Sequence, residues 1–396
     1  MKRRDFIKNS ALASSLFFVP GFLKAMDAQL TVPEGIRRLV IIQLAGGNDG
    51  LNTIVPYRND IYYRERPAIA IKKRNILKLN EELGVHTNLA PLKELFERGE
   101  LTIVNNVGYP NPNRSHFRSS DIWQTASSAN EVLNEGWVGR YLDLYGENPY
   151  DAIEVGNSLS LIMKGKLGNG TVAKDANMLK KVAGDPYFDT LLSYQRDAHL
   201  SEHNMGYLYQ TMIDAKQTAN YIYEKTKVTR SSFDYGTSQF GKQMKTLAEF
   251  INSRLETKVY FASLDGFDTH AGQSDKHESL LKTYAEGVAT LVRDLKANGT
   301  FKDTLILTFS EFGRRVSQNA AMGTDHGAAN NIFVIGKNLK RPGFYNQAPD
   351  LTKLDENGDL IYEIDFRRVY ANIMDNWLDV PSSTLLNETH APLGII

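Results

Sequence analysis

The chain has 396 residues, 42% of them hydrophobic and 23% charged, enough to bury a large core in one large domain or two smaller ones. Its 46 Lys and Arg balance 46 Asp and Glu, so no basic excess is there to hold a phosphate backbone, and nucleic-acid binding loses its main electrostatic support. With no cysteine, disulfides, thiolate metal sites and cysteine nucleophiles are excluded.

The start of the chain reads as an address rather than part of the fold. In "KRRDFIK", Arg3 and Arg4 precede Phe6, Ile7 and Lys8, and a short apolar run from Ala11 to Phe22 leads to Ala25, where a signal peptidase could cut. This pattern predicts a twin-arginine export signal over residues 1–25, followed by a single domain over 26–396. The destination is then periplasmic or secreted, reached through the twin-arginine translocase. Removing the signal takes away five Lys/Arg and one Asp, leaving 41 against 45 and a net charge of about −4. No later segment reaches the roughly 18 consecutive apolar residues of a membrane span, so none is expected in the mature chain.

Beyond the signal, short apolar runs alternate with helical patterns. The stretches "RRLVIIQLAGG", "ELTIVNNVG", "KVYFASLDG", "DTLILTFSE" and "NNIFVIG" are rich in branched residues and bounded by Gly, Asn or Asp, which predicts buried strands. Between them, "NLAPLKELFERG", "SLLKTYAEGVATLVRDLKANG" and "FRRVYANIMDNWLD" carry apolar residues at three- and four-residue spacing, which predicts helices. A helical insertion is expected over about 187–255. The alternation implies an α/β fold with a mostly parallel sheet and helices on both faces.

In such sheets ligands bind beyond the carboxyl ends of the strands, and there the chain collects its acids and histidines. The first strand runs into a glycine loop with Asp49; "LDGFDTHAGQ" supplies Asp265, Asp268 and His270; the next strand ends at Glu311; and "TDHG" supplies Asp325 and His326. Singly each has an ordinary reading: Asp49 in an Asn-Asp-Gly turn, Asp265 in an Asp-Gly turn, Asp268 as a cap. Together they repel, since two carboxylates 4 Å apart cost about 4 kcal/mol at an effective dielectric near 20. A divalent cation removes that repulsion. Asp49, Asp268, His270, Glu311, Asp325 and His326 offer oxygen and nitrogen without sulfur, suited to zinc, manganese or calcium, and are numerous enough for one or two ions.

The motifs "LAGGNDGLNTIVPY", "NVGYPNPNRSHFRSSDIWQT", "GWVGRYLD", "FDTHAGQ", "SEFGRR" and "GTDHGAANNIFVIG" together resemble the twin-arginine-exported domain-of-unknown-function family 1501 (DUF1501), which is grouped with the alkaline phosphatase and sulfatase superfamily. The resemblance runs from about residue 37 to 376. It implies an alkaline-phosphatase-like three-layer sandwich with a metal site at the strand ends. In this pattern an Asp after the first strand falls on Asp49, the nucleophile on the "RSHF" segment, and the later ligands on Asp268 with His270, Glu311, and Asp325 with His326. The sequence departs from the superfamily in the short spacing of "DTH", in Glu311 where an Asp-His pair is commoner, and in lacking the Cys/Ser-x-Pro-x-Arg context of formylglycine sulfatases.

"NPNRSHFRSSDIW" is expected to open a helix, with Ser115 among free backbone N–H groups that favour an anionic ester. Ser115 is the candidate nucleophile, although Ser is also a preferred N-cap. His116 is the candidate ligand or acid/base. Arg114 or Arg118 would grip the non-reacting oxygens, and Arg314 and Asn48 are further substrate-binding candidates. These residues make the chain an expected exported, metal-dependent hydrolase of a phosphate or sulfate ester on a small molecule or glycan. The alternative is a non-catalytic exported metal-binding protein that uses the same fold to hold a glycan or protein partner.

Overall fold

The structure is a computed structural model that describes residues 35–186, 190 and 204–396. The export signal expected over 1–25 lies outside the described residues, as does the part of the helical insertion at 187–189 and 191–203. Residues Arg37–Ile396 form one compact unit.

Twelve strands appear among the described residues: β1 Arg38–Ala45, β2 Ile54–Val55, β3 Ile76–Lys78, β4 Gly84–His86, β5 Leu101–Gly108, β6 Ala152–Glu154, β7 Thr171–Val172, β8 Val259–Asp265, β9 Thr304–Phe309, β10 Asn330–Ile335, β11 Gly343–Phe344 and β12 Ile364–Asp365. Nine form one sheet in the order β11-β5-β10-β9-β1-β8-β6-β7, with β12 also paired to β5; β2, β4 and β3 make a small second sheet. All five apolar runs picked out in the sequence are strands of the large sheet.

The sheet is covered on both faces because its central strands are apolar at nearly every position. In β1, Val40, Ile42 and Leu44 belong to one core cluster, while Leu39 and Ile41 belong to the other. β9 and β10 divide in the same way, with Ile306, Phe333 and Ile335 on one side and Leu305, Leu307, Ile332 and Val334 on the other. The first face packs against helices Ala90–Glu97, Gln239–Asn252 and Gln273–Ala297, which contribute Leu92, Met244, Leu281 and Val288. The second packs against His116–Thr125, Trp137–Tyr145 and Phe366–Ile373, and Trp123 of the first of these stacks on Phe309 and Phe366. Fully burying each Leu, Ile or Phe stabilises by about 1.5–3 kcal/mol, so the second cluster, through Ile122 and Trp123, holds the helix His116–Thr125 firmly against the sheet.

One strand runs against the rest. β10 is antiparallel to both β9 and β5, whereas every other pairing in the large sheet is parallel. Its register sets Phe333 opposite Thr308 and Ile335 opposite Ile306, so the beginning of β10 lies where β9 ends. This reversal answers a puzzle in the sequence: Asp325 and His326 precede their strand, yet they reach the same edge as residues that follow β1, β8 and β9.

Candidate functional site

Four loops meet at that edge, and Arg314 ties them together. Its side chain is fully buried. The guanidinium donates through Nε to Gly47 O at 2.7 Å, through Nη1 to Thr324 O at 2.8 Å, and through Nη2 to Gly46 O, to Phe267 O at 3.1 Å and to Asp268 Oδ1 at 2.8 Å. The loop after β1 can lie this close only with glycine at position 46, where φ is +114° and a Cβ would fall 2.4 Å from the Asp268 nitrogen.

Around Asp268 stand three imidazoles, each fixed from behind. His116 opens its helix and its Nδ1 lies 3.0 Å from Glu311 Oε1. The Nδ1 of His326 lies 2.6 Å from the carbonyl oxygen of Arg114, an acceptor only, so this nitrogen carries the proton. The Nδ1 of His270 lies 3.2 Å from Asp325 Oδ1. With Nδ1–H donating in all three, each Nε2 presents a lone pair. Those atoms face Asp268 Oδ1, at 3.4 Å for His116, 3.4 Å for His326 and 3.1 Å for His270.

Two features suit this cluster to a cation. The Nε2 atoms of His270 and His326 lie 2.8 Å apart, a repulsive approach for two lone pairs unless a proton or metal ion lies between them. The buried Nε2 of His116 has no hydrogen-bond partner among the described residues. The donor atoms of His116, Asp268 and His326 all fall within 4.8 Å of one another, and His270 adjoins two of them. These residues fit a divalent ion of the zinc type.

Partial burial pushes the Asp268 carboxyl up, but the hydrogen bond and charge of Arg314, with His270 and His116 beside it, outweigh this and hold it at about 2. His116 is raised above the ordinary histidine value, chiefly by its hydrogen bond to Glu311. His326 is lowered by burial, with Arg314 and His116 adding to the effect. Asp325 is lowered, first by the hydrogen bond from Asn319.

Several residues singled out in the sequence take other places. Asp49, expected as a ligand, is fully buried and committed elsewhere: it pairs with buried Arg66 at 2.6 Å, accepts from Gln273 Nε2 and caps the turn Gly50–Thr53. Burial pushes its carboxyl up, yet Arg66 and His277 outweigh this and keep it low. Glu311, also expected as a ligand, stands behind His116, and the same Oε1 accepts from Gly46 N at 2.7 Å. Asp325 stands behind His270 in the same way. Asn48 is buried, with its Oδ1 2.9 Å from His277 Nε2, so it does not line a substrate site.

The arginines are engaged too. Arg114 donates to Asp359 and Asp355, Arg118 reaches the carbonyls of Ser128, Ala129 and Glu131, and Arg314 is the buried tie described above. Ser115 occupies the N-cap position of its helix with φ −82° and ψ 128°, yet its side chain makes no cap hydrogen bond and is exposed. The carbonyl of Arg114 on one side of it and the ring of His116 on the other both touch the site.

Sequence reasoning missed Asp359, Asn319 and Arg66. Asp359 is fully buried and holds Arg114; Asn319 Nδ2 donates to His270 O at 2.9 Å and to Asp325 Oδ1 at 3.1 Å. "DENGD" reads as an exposed turn, and no local signal marks its last Asp as buried.

The family model described as "Protein of unknown function (DUF1501)" matches residues 101–364. No curated protein gives a significant match. Among solved structures, one similar chain is the C-terminal periplasmic domain of EcEptC from Escherichia coli in complex with Zn, at 13% identity over 76% of this chain and 73% of that one, with a TM-score of 0.36. Another is the lipoteichoic acid synthase LtaP from Listeria monocytogenes, at 10% identity over 78% and 68%, with a TM-score of 0.36. A protein in the alkaline phosphatase superfamily from Vibrio parahaemolyticus matches at 10% identity over 80% and 63%, again with a TM-score of 0.36. At such identities and TM-scores the likeness carries no argument about metal, substrate or reaction.

Proposed function

For a chain that belongs to the DUF1501 family of proteins of unknown function, we propose, from the chemistry of its site, a metal-dependent hydrolase of a phosphate or sulfate ester. The observation that carries this reading is the set of three imidazoles with tethered Nδ1 atoms and Nε2 atoms turned toward Asp268 Oδ1. With Asp49 held by Arg66, the donors suit one ion, and an imidazole-rich set suits zinc better than calcium, which takes six to eight oxygens. His116, His326, Asp268 and His270 would hold it, with Glu311 and Asp325 setting the ring orientations.

A divalent ion there supplies Lewis acidity to the ester and neutralises charge that develops on its oxygens. Ser115, free of a capping role, is the candidate nucleophile at the helix N-terminus, where the N–H groups favour the ester's negative charge. Of the arginines near the centre, Arg315 is the most exposed and the best placed to meet the anion: its side chain is 40% exposed, its Nε lies 3.6 Å from Asp359 Oδ1, and its backbone N–H reaches Asp325 O at 3.1 Å. Metal-loaded protein should carry roughly one equivalent of zinc and turn over 4-nitrophenyl phosphate or sulfate, and Ser115→Ala should abolish turnover while retaining the metal. Absence of both metal and turnover overturns the reading.

The engagement of Arg114, Arg118 and Arg314 favours one second reading, a metal-binding protein without turnover that holds a glycan or protein partner. Metal retained without turnover of either ester selects it. Export is also part of the proposal, supported by Arg3 and Arg4 ahead of the apolar run and by the lack, among the described residues, of any helix long and apolar enough to cross a membrane.

A further inference from the structure

The large sheet is notched at the same edge. β6 ends at Glu154, opposite Phe261, while β8 continues to Asp265, so no strand stands beside Ser263, Leu264 and Asp265 on that side among the described residues. The loop after β6 folds over the notch, starting with Val155 N donating to Phe261 O at 2.8 Å, and the start of helix Gln239–Asn252 closes the other wall. The open cavity is about 390 Å³, within the usual range for small-ligand sites. Asp265 lines it, and Asp268 of the metal centre follows three residues later. Even fully extended, three residues span no more than about 11 Å, so cavity and centre are neighbours.

The lining selects its occupant by charge. Among the described residues no Lys, Arg or His lines the cavity, and two carboxylates, Glu154 and Asp265, do. A phosphate or sulfate group would meet like charge from that lining, so the cavity is not where the anionic end of an ester sits. Both carboxylates are already engaged: Glu154 accepts from Ser160 N and Ser160 Oγ at 2.7 Å each, and Asp265 accepts from Ser263 Oγ at 2.9 Å. The groups left without a side-chain partner among the described residues are those of Asn157, Ser158 and Gln239. Each of these amides and hydroxyls both donates and accepts, as an alcohol hydroxyl does. Behind them, buried Val155, Phe240 and Leu264 give an apolar wall. Hydroxyl-matching groups over an apolar wall suit a ring with polar edges and C–H faces.

We propose that the cavity between the ends of β6 and β8 receives the neutral, hydroxyl-rich alcohol part of the substrate, a saccharide-like group, while its ester reaches the neighbouring metal centre. The assignment of an ester rests on the hydrolase reading above; the cavity's preference for a neutral polyol does not. It also sets a limit on the substrate: a second anionic group on the sugar should be disfavoured, because it would enter between Glu154 and Asp265.

Two measurements test this separately. Saturation-transfer NMR on the metal-free protein with glucose, galactose and glycerol should show binding of at least one, lost in the double variant Asn157→Ala, Gln239→Ala. No transfer from any of the three, or equal transfer in the variant, overturns the cavity proposal. Steady-state kinetics on zinc-loaded protein then compare glucose 6-phosphate or glucose 6-sulfate with the corresponding 4-nitrophenyl ester. The ratio of kcat/KM, sugar ester over aryl ester, should fall about tenfold in the double variant, the scale of one to two lost hydrogen bonds. An unchanged ratio also overturns the proposal. If no ester turns over while sugar binding persists and is lost in the variant, the hydrolase reading falls and the cavity assignment stands.

Discussion

Glu311→Gln is the change that isolates charge from shape at this centre. The carboxylate is 2% exposed, and Oε1 serves two donors, His116 Nδ1 at 3.0 Å and Gly46 N at 2.7 Å. An amide keeps an oxygen in that place and can accept both, while its nitrogen falls where Oε2 faced Ser310 Oγ at 3.4 Å. What is lost is the negative charge that makes the His116 ring a stronger base toward a metal ion. Removing such a partner behind a ligand costs typically 10- to 100-fold in affinity. Stabilisation by a bound ligand follows RT ln(1 + [L]/Kd), so the metal-induced gain at a fixed excess of zinc should shrink by about 1.4–2.7 kcal/mol. Denaturant melts of wild type and Glu311→Gln, each with chelator and with zinc, measure that gain directly. Equal metal-induced shifts in the two proteins would refute the role of Glu311 behind His116. Glu311→Ala serves as the contrast: it strands the His116 and Gly46 donors, a cost of about 1–3 kcal/mol each that is already present in chelator.

Asp49→Ala should behave in the opposite way, because it leaves buried Arg66 without its partner: stability falls by about 3–5 kcal/mol in denaturant melts while zinc content by elemental analysis stays that of wild type. Arg314→Lys should lower zinc affinity despite its conserved charge, because a lysine cannot reach three carbonyl-bearing loops and Asp268 together; isothermal titration of zinc into both proteins checks it. His277 supplies a pH dependence. It is fully buried, and desolvation holds it down at about 4 against an ordinary value near 6.5. The native state keeps it neutral while the unfolded chain takes up a proton below about pH 6.5, so its contribution is complete above that pH and lost as pH falls toward 4. The lost stability is on the order of 3 kcal/mol, and His277→Gln should flatten the decline in chemical-denaturation stability between pH 6.5 and 4. Arg3→Lys with Arg4→Lys should leave the precursor in the cytoplasm, and cell fractionation with unchanged periplasmic accumulation would overturn the export assignment.

The elements of the fold were legible where burial repeats along the sequence. All five long strands declared themselves, since a strand covered on both faces is apolar at nearly every position. The short strands β2, β3, β4, β6, β7, β11 and β12 carry two or three residues each and leave no period to read. The direction of β10 was not legible either, because an antiparallel strand inside a covered sheet has the same composition as a parallel one. At the site, residue type marked which side chains gather at the strand ends but not how they are arranged there. Asp268, His270, His326 and His116 face one another at the strand ends, whereas Asp49 pairs with Arg66, and Glu311 and Asp325 lie behind His116 and His270. What separates the two groups is a partner distant in sequence, such as Arg66 for Asp49 or His116 for Glu311.

The arrangement of charge explains why the supports lie where they do. Asp268, Glu311 and Asp325 bring three carboxylates to the centre and its immediate backing, and the guanidinium of Arg314 offsets one of them, leaving an excess of carboxylate among these four groups. Had Arg314 been absent, the excess would repel more strongly in the metal-free chain. Had Asp49 remained unpaired near the same edge, it would have added a further charge, but Arg66 cancels it at 2.6 Å inside the core. The fold therefore keeps the rings and the Asp268 carboxylate held in place by groups behind them, the arrangement that the proposed cation site needs.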